Sequence, residues 1–159
     1  MENIASSNSL SAFRKGGQFR PEAVLIAEEI RRHGIEAILE HRFYRRGTFH
    51  CDIHGLFTDE TPDATSSPCP KCKVGCAMSH FQADIFLPEH KICLEIKGKI
   101  HDSSSQERKD VRKEEYLEGL GLKVVSSRAE WFLDSKRKPR HEWIAMYSSG
   151  IAKLLEGSG

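Results

Sequence analysis

The sequence predicts an α/β sandwich in which a central mixed β-sheet is flanked by helices. Residues 81–87 and 91–97 each alternate apolar and polar side chains, which is typical of the two strands of a hairpin. The elements around this hairpin follow the order helix, strand, insert, strand, strand, helix, strand, helix. Helices on both sides of paired strands favour a layered α/β domain over an all-helical or all-strand one.

Length and composition exclude several classes of protein. The chain has 159 residues, of which 30% are charged and 38% hydrophobic, as expected for one globular domain with a small insert. No apolar run approaches the roughly 18 residues of a membrane span, and the start lacks a signal-peptide pattern, so we expect a cytoplasmic protein with no membrane partner. The net charge is only +1, so nucleic-acid binding would need local basic patches.

The first helix is predicted from Pro21 to His33, because Pro is favoured at the first helical position and Gly34 follows as a stop signal. Residues 1–19 are rich in Ser, Asn and Gly and predict a flexible arm before the main domain, residues 20–159. A strand region is predicted next, over residues 35–49.

The predicted hairpin brings two carboxylates together. A two-residue turn at positions 89 and 90 places Asp84 opposite Glu95, with Lys97 on the same side of the sheet. Like charges that face each other on adjacent strands are destabilising by roughly 0.2–1 kcal/mol, which a divalent cation would offset. Two carboxylates and an ammonium on one sheet face suit metal-assisted hydrolysis of a phosphodiester.

The pattern D-x10-E-I-K, from Asp84 to Lys97, resembles the motif of the PD-(D/E)xK nuclease superfamily, although Pro does not precede the Asp. The next stretch, GKIHDSSSQERKDVRKEEYLEGLGLKVV, is similar to the corresponding segment of very-short-patch-repair endonucleases. His101-Asp102 is similar to the His-Asp pair of the EDxHD homing endonucleases. The resemblance covers roughly residues 21–133 and implies a restriction-endonuclease-like fold.

This resemblance also implies a DNA endonuclease that depends on Mg2+. Asp84, Glu95 and the carbonyl of Ile96 would bind the metal, and Lys97 would position or deprotonate the attacking water.

Three further catalytic candidates follow from the resemblance. In the similar nucleases a Glu on the first helix helps to hold the metal. Glu22 and Glu28 both qualify, and Glu28 is the candidate carried forward. His101 is a candidate acid, base or phosphate donor, and Gln106 matches an active-site position near the start of the helix over about 106–120.

Basic side chains next to the predicted site are the candidates for DNA contacts, and each could equally lie on a solvated surface. They are Arg42, Arg45 and Arg46 in an aromatic-interleaved stretch, Lys99 after the hairpin, and Arg108 and Arg112 on the helix.

A zinc-binding insert is predicted over residues 50–77. Its ligands are expected to be two closely spaced pairs of soft or borderline donors, Cys51 with His54 and, after fourteen residues, Cys69 with Cys72. Cys76 rivals His54 as the fourth ligand, and His50 is a weaker rival. The stretch resembles treble-clef-like fingers attached to phage-type nucleases. Five cysteines, an odd number, favour a reduced intracellular protein over a disulfide scaffold.

Hydrophobic spacing predicts which helical residues are buried. Val111, Leu117 and Leu120 fit the buried side of the helix over about 106–120. In the last helix, about 140–155, the expected buried stripe is Trp143, Tyr147, Ile151 and Leu154.

Two other functions stay open beside the enzyme. The chain could be a non-catalytic zinc-finger module that binds DNA on a nuclease-like scaffold, or a structural subunit of a DNA-processing complex. The intact Asp84, Glu95 and Lys97 favour the enzyme. DNA is the expected partner, a homodimer is left open, and the relatives indicated by the resemblance are bacterial or phage-type proteins.

Overall fold

Three α-helices and six strands make up the part of the chain that the computed structural model describes, residues 20–98 and 104–158. In chain order they are α1 Pro21–Arg32, β1 Ile38–Cys51, β2 Gly55–Thr58, β3 Ser66–Pro68, β4 Gly75–Leu87, β5 Ile92–Lys97, α2 Ser104–Gly119, β6 Lys123–Arg128, a 3-10 turn Ala129–Trp131, and α3 His141–Ser158. Within this part, no helix is both long and apolar enough to cross a membrane. The predicted arm over residues 1–19, Lys99 and His101 lie outside the described residues.

The six strands form a mixed sheet. The hydrogen-bonded order is β2-β1-β4-β5-β6, and β3 pairs with β4. β4 and β5 are antiparallel, whereas β5 and β6 are parallel and are joined through α2, as a parallel pair requires a crossover connection. The predicted α/β class with a mixed central sheet flanked by helices is therefore confirmed.

The chain divides into two compact units. Arg42–Gln82 forms one, which we call the insert unit, and the remaining described residues form the other, which we call the main unit. β1 and β4 each have residues in both units. The insert unit contains more residues than the predicted 50–77 segment, because it includes most of β1 and the first part of β4.

The hairpin of β4 and β5 has the predicted register. Ile85 pairs with Leu94 and Leu87 with Ile92, so one step further along the strands Asp84 lies opposite Glu95. The connection is a four-residue turn, 88–91, instead of a strand that starts at residue 91. Its last residue has a φ of 55°, which ends the turn without changing the pairing.

One face of the sheet in the main unit is apolar. The buried side of α1, which includes Ile26 and Ile30, packs in the same core as Ile85 and Leu94. α3 contributes to this core and packs against α1. Because side chains alternate along a strand, Cys93, Glu95 and Lys97 of β5 lie on the opposite face.

The opposite face carries α2, whose buried residues differ from those that spacing predicted. Leu117 is fully buried, whereas Val111 and Leu120 are about half exposed. α2 packs against β6, and its charged side chains contact Glu95 and Lys97 of β5. Apolar spacing does not identify the inner face of this helix, because much of that face contacts the sheet through ion pairs.

The buried stripe of α3 matches the predicted one in part, because Tyr147 and Ile151 pack against the core. Ile144, Ala152 and Leu155 are buried, while Trp143 is half exposed and Leu154 is 72% exposed. Consecutive helical residues are about 100° apart, so a shift of one position moves a side chain from the core to the surface.

Candidate functional site

Two hairpin turns of the insert unit bring four metal-binding side chains together. One turn joins β1 to β2 and the other joins β3 to β4. The ligand atoms all lie within 4.8 Å of one another, and they belong to Cys51, His54, Cys69 and Cys72. This group is the predicted one, and three cysteines with one histidine can hold a metal such as zinc.

The distances within this Cys3His cluster fit a tetrahedral ion. The Sγ atoms of Cys51 and Cys72 are 3.7 Å apart, and Cys69 Sγ is 3.5 Å from His54 Nδ1. Zinc bonds of about 2.3 Å to sulfur and about 2.1 Å to nitrogen, at tetrahedral angles, require separations of about 3.8 Å and about 3.6 Å. The side chains are therefore already spaced as ligands of one zinc ion.

The structure also selects the fourth ligand among the candidates. The buried Sγ of Cys76 donates to the carbonyl of Val74 at 3.3 Å and is not part of the cluster. His50 is exposed and lies beside Asp52. His54 is therefore the histidine of the cluster.

Backbone groups of the two turns favour the thiolate form that a metal requires. The backbone N–H of His54 is the main cause of a Cys51 pKa lowered to about 7. The backbone N–H of Cys72 likewise lowers the pKa of Cys69. Since zinc binds the thiolate, these N–H groups favour metal binding at neutral pH.

The insert unit has a small core of its own next to the cluster. Phe49 is fully buried among cysteine side chains, and its ring stacks with that of Phe57 at 5.8 Å. Ile53 is 77% exposed and Leu56 is half exposed, so these two apolar residues do not enlarge the core. Residues 42–82 contain no helix, and the two ligand pairs lie at the two hairpin turns.

In the main unit, Asp84 and Glu95 bond to each other's strand through side chains. The N–H of Asp84 donates to Glu95 Oε2 at 3.0 Å, and the N–H of Ile96 donates to Asp84 Oδ2 at 2.7 Å. Main-chain pairing of β4 and β5 covers the residues from Ile85 and Leu94 to the turn. Beyond the end of the main-chain ladder, the two carboxylates thus accept the hydrogen bonds that link the strands.

Glu95 is a buried carboxylate with a cation beside it. It is 6% exposed, and burial raises its pKa above the ordinary value. Lys113 of α2 forms an ion pair with Glu95 Oε1 and opposes this rise, whereas the nearby Asp84 adds to it. Burial thus favours the protonated form, and Lys113 favours the carboxylate.

Lys97, the lysine of the sequence motif, pairs with acidic residues of α2. Its Nζ is 3.2 Å from Glu114 Oε1 and 3.9 Å from Asp110 Oδ2. Gln106 Nε2 donates to Asp110 at 3.2 Å, so the predicted Gln106 belongs to the same network. The structure therefore brings Gln106 to Lys97 through Asp110.

Sequence reasoning missed Asp110, Glu114 and above all Lys113 as members of this site. A signal was present, because residues 110, 113, 114 and 117 share one helical face by their spacing. Leu117, the buried residue of this set, marks that face as the inner one.

Of the two Glu candidates on α1, the structure brings Glu22 toward the carboxylates. Glu22 is 2% exposed, its Oε2 lacks a hydrogen-bond partner, and it interacts electrostatically with Asp84. Burial raises the pKa of Glu22, and Arg20 partly opposes the rise. Glu28, the candidate carried forward from the sequence, is exposed and lies near Arg31.

A cleft of about 860 Å3 is lined in part by Glu22. Its charged lining combines three arginines with three acids, which are Arg20, Arg137, Arg140, Glu22, Glu130 and Asp134. Arg20 also donates to the carbonyl of Ile96, the third ligand atom predicted for Mg2+. A cation of the chain therefore contacts this carbonyl as well as Glu95.

The candidate metal sites differ in how far they are formed. Within the described residues, the Cys3His cluster is the only group of three or more Cys, His, Asp or Glu side chains that converges at ligand spacing. Glu22, Asp84 and Glu95 are not so gathered. Their oxygens are nonetheless of the kind that Mg2+ prefers, and the unpartnered buried Oε2 of Glu22 is suited to a cation.

The predicted DNA contacts fall on different surfaces. Arg42, Tyr44 and Arg46 are exposed and alternate along β1 of the insert unit. Arg45 points to the other face, where it lies over the ring of Phe81 at 4.9 Å. On α2, Arg108 and Arg112 are exposed.

A scan against protein-family models found no match, and searches of curated proteins and of solved structures found none either.

We predict that the purified protein carries about one zinc ion per chain and that Cys72→Ser releases it. Loss of one thiolate leaves three ligands, which is one fewer than a structural site needs. Elemental analysis measures the metal, and limited proteolysis over residues 51–76 measures the expected loosening. Cys76→Ser is the matched control and should keep its zinc, because Cys76 lies near Cys51 but its Sγ is not one of the four atoms at ligand spacing. Equal zinc loss in both variants would contradict the assignment.

Proposed function

We propose that the chain is an endonuclease of the restriction-endonuclease-like type that hydrolyses DNA phosphodiester bonds with Mg2+. The observation that carries this proposal is the pair of carboxylates, Asp84 and Glu95, held face to face by hydrogen bonds where the hairpin ladder ends. Two such groups repel each other, although each accepts a backbone hydrogen bond from the opposite strand, and a divalent cation bound to both would offset the repulsion.

The donor set supports a hard divalent cation. Asp84, Glu95 and the carbonyl of Ile96 would hold it, with Glu22 as a further oxygen ligand. A bound Mg2+ would supply a water of lowered pKa and would neutralise charge on the phosphate. The residues of the chain supply the rest, because Lys97 or Lys113 can stabilise the developing charge and the cleft lined by Arg20 can receive the phosphodiester.

The basic face of the insert unit supports DNA as the partner. Arg42 and Arg46 flank the exposed ring of Tyr44, which combines phosphate-binding cations with a side chain that can stack on a base or a sugar. Arg108 and Arg112 of α2 are a second candidate contact. We assign the zinc a structural role, since all four cluster positions are protein ligands and no open position is left.

The second candidate is a non-catalytic zinc-dependent DNA-binding module. One observation favours it, because the Cys3His cluster is at ligand spacing while Glu95 and Lys97 are both paired within the protein. A metal-dependent cleavage assay separates the two functions, since the module would bind DNA without cutting it.

We predict that Asp84→Asn lowers Mg2+-dependent plasmid cleavage by about a thousandfold or more, because it removes a ligand of a metal that contributes several kcal/mol to the barrier. Glu22→Gln should also impair cleavage. Glu28→Gln is the matched control on the same helix and should cleave like the wild type, since Glu28 is exposed. Undiminished cleavage by Asp84→Asn would refute the active site, and a wild type that binds but never cuts would favour the module.

We also predict that the double variant Arg42→Ala, Arg46→Ala weakens DNA binding and lowers the slope of log Kd against log salt concentration by about two, one for each lost phosphate contact. Fluorescence anisotropy with a labelled duplex at several salt concentrations gives both quantities. Arg45→Ala is the control, because this side chain lies over Phe81 and donates to Ser79. If Arg45→Ala changes the slope as much as the double variant, the exposed face is not the DNA contact.

A further inference from the structure

We propose that Lys113 is a second lysine of the active site: an internal counter-cation that holds Glu95 in the metal-free protein and yields Oε1 of that carboxylate when a divalent cation binds. This inference rests on the proposed function, which gives Glu95 its metal. It concerns a residue that the sequence motif does not contain.

Lys97 is already committed to other partners. Its ammonium lies between Glu114 and Asp110 of α2, at 3.2 Å and 3.9 Å from their carboxylate oxygens. The Asp110 side chain is largely buried and also accepts from Gln106. These contacts make Lys97 a residue that joins β5 to α2, and they direct its charge toward the helix.

Lys113 is the cation that Glu95 contacts. The two side chains are ion-paired in a largely buried position, with 22% of the lysine and 8% of the glutamate side chain exposed. Glu95 Oε2 is held by the N–H of Asp84, so Oε1 is the oxygen that accepts from the ammonium. A divalent cation that uses Oε1 must therefore compete with Lys113.

The competition predicts two effects of opposite direction. Two cations that share one carboxylate repel each other, so removal of the ammonium should strengthen binding of a divalent cation. The displaced ammonium stays next to the carboxylates, where it can stabilise charge on the phosphate, so its removal should slow cleavage. A residue that only supported the fold would weaken both properties together.

The test is Mn2+ binding to the zinc-loaded, DNA-free protein by isothermal titration calorimetry at pH 8, combined with single-turnover cleavage at saturating Mn2+. Lys113→Met should bind Mn2+ about tenfold more tightly and cleave roughly a hundredfold more slowly. Lys113→Arg keeps the positive charge, so its Mn2+ affinity should stay near that of the wild type. Glu95→Gln defines the background, because it removes the contested carboxylate.

The matched control is Lys109→Met, which removes an exposed lysine four residues earlier on α2 and should change neither property. Weaker Mn2+ binding by Lys113→Met, or unchanged cleavage, would overturn the proposal. If Lys113→Met does not fold, as a thermal melt would show, a Lys113→Arg variant with tighter Mn2+ binding than the wild type would overturn it. If Lys113→Met binds Mn2+ more tightly than the wild type but the wild type itself never cleaves DNA, the nuclease function is refuted. The competition between Lys113 and the cation at Glu95 then still stands.

Discussion

The main unit depends on a carboxylate that is buried beneath a polar helix. Glu95 is 6% exposed, and a buried charge is costly unless it is paired and hydrogen-bonded. Its partners come from two directions, the N–H of Asp84 on the next strand and the ammonium of Lys113 on α2. Lys97 adds a second set of ion pairs to the same helix. The position of α2 and the charge state of the hairpin are therefore linked.

This constraint explains why the sequence predicts the hairpin well and α2 poorly. Alternation of apolar residues fixed the register that places Asp84 opposite Glu95, because a slip of one residue would turn every apolar side chain away from the core. α2 has no comparable apolar stripe, since its inner face includes Lys113 and Glu114 beside Leu117. Hydrophobic periodicity does not register charged residues that become buried by pairing.

The choice between two acids on one helix shows a similar limit. Glu22 and Glu28 lie on the same predicted amphipathic helix, and only the packed structure shows that Glu22 is buried near Asp84. The metal cluster was more predictable, because two short Cys-His and Cys-Cys spacings bring ligands together within single turns. Its fourth ligand needed the structure, which places His54 in the cluster and Cys76 against Val74.

Each unit combines an apolar cluster with buried polar or cysteine side chains. In the insert unit, Phe49 packs among cysteines whose spacing suits zinc. In the main unit, Glu95 occupies an inner position that an apolar residue would fill at lower cost, and the proposed function accounts for its being there.

The most direct test is anomalous diffraction from crystals grown with Mn2+, with data collected at the zinc and manganese edges. The account predicts a zinc peak within the Cys3His cluster and a separate manganese peak at Asp84 and Glu95, with the Lys113 ammonium moved away from Glu95. A structure with no manganese at these carboxylates and with Lys113 still paired to Glu95 would contradict the account.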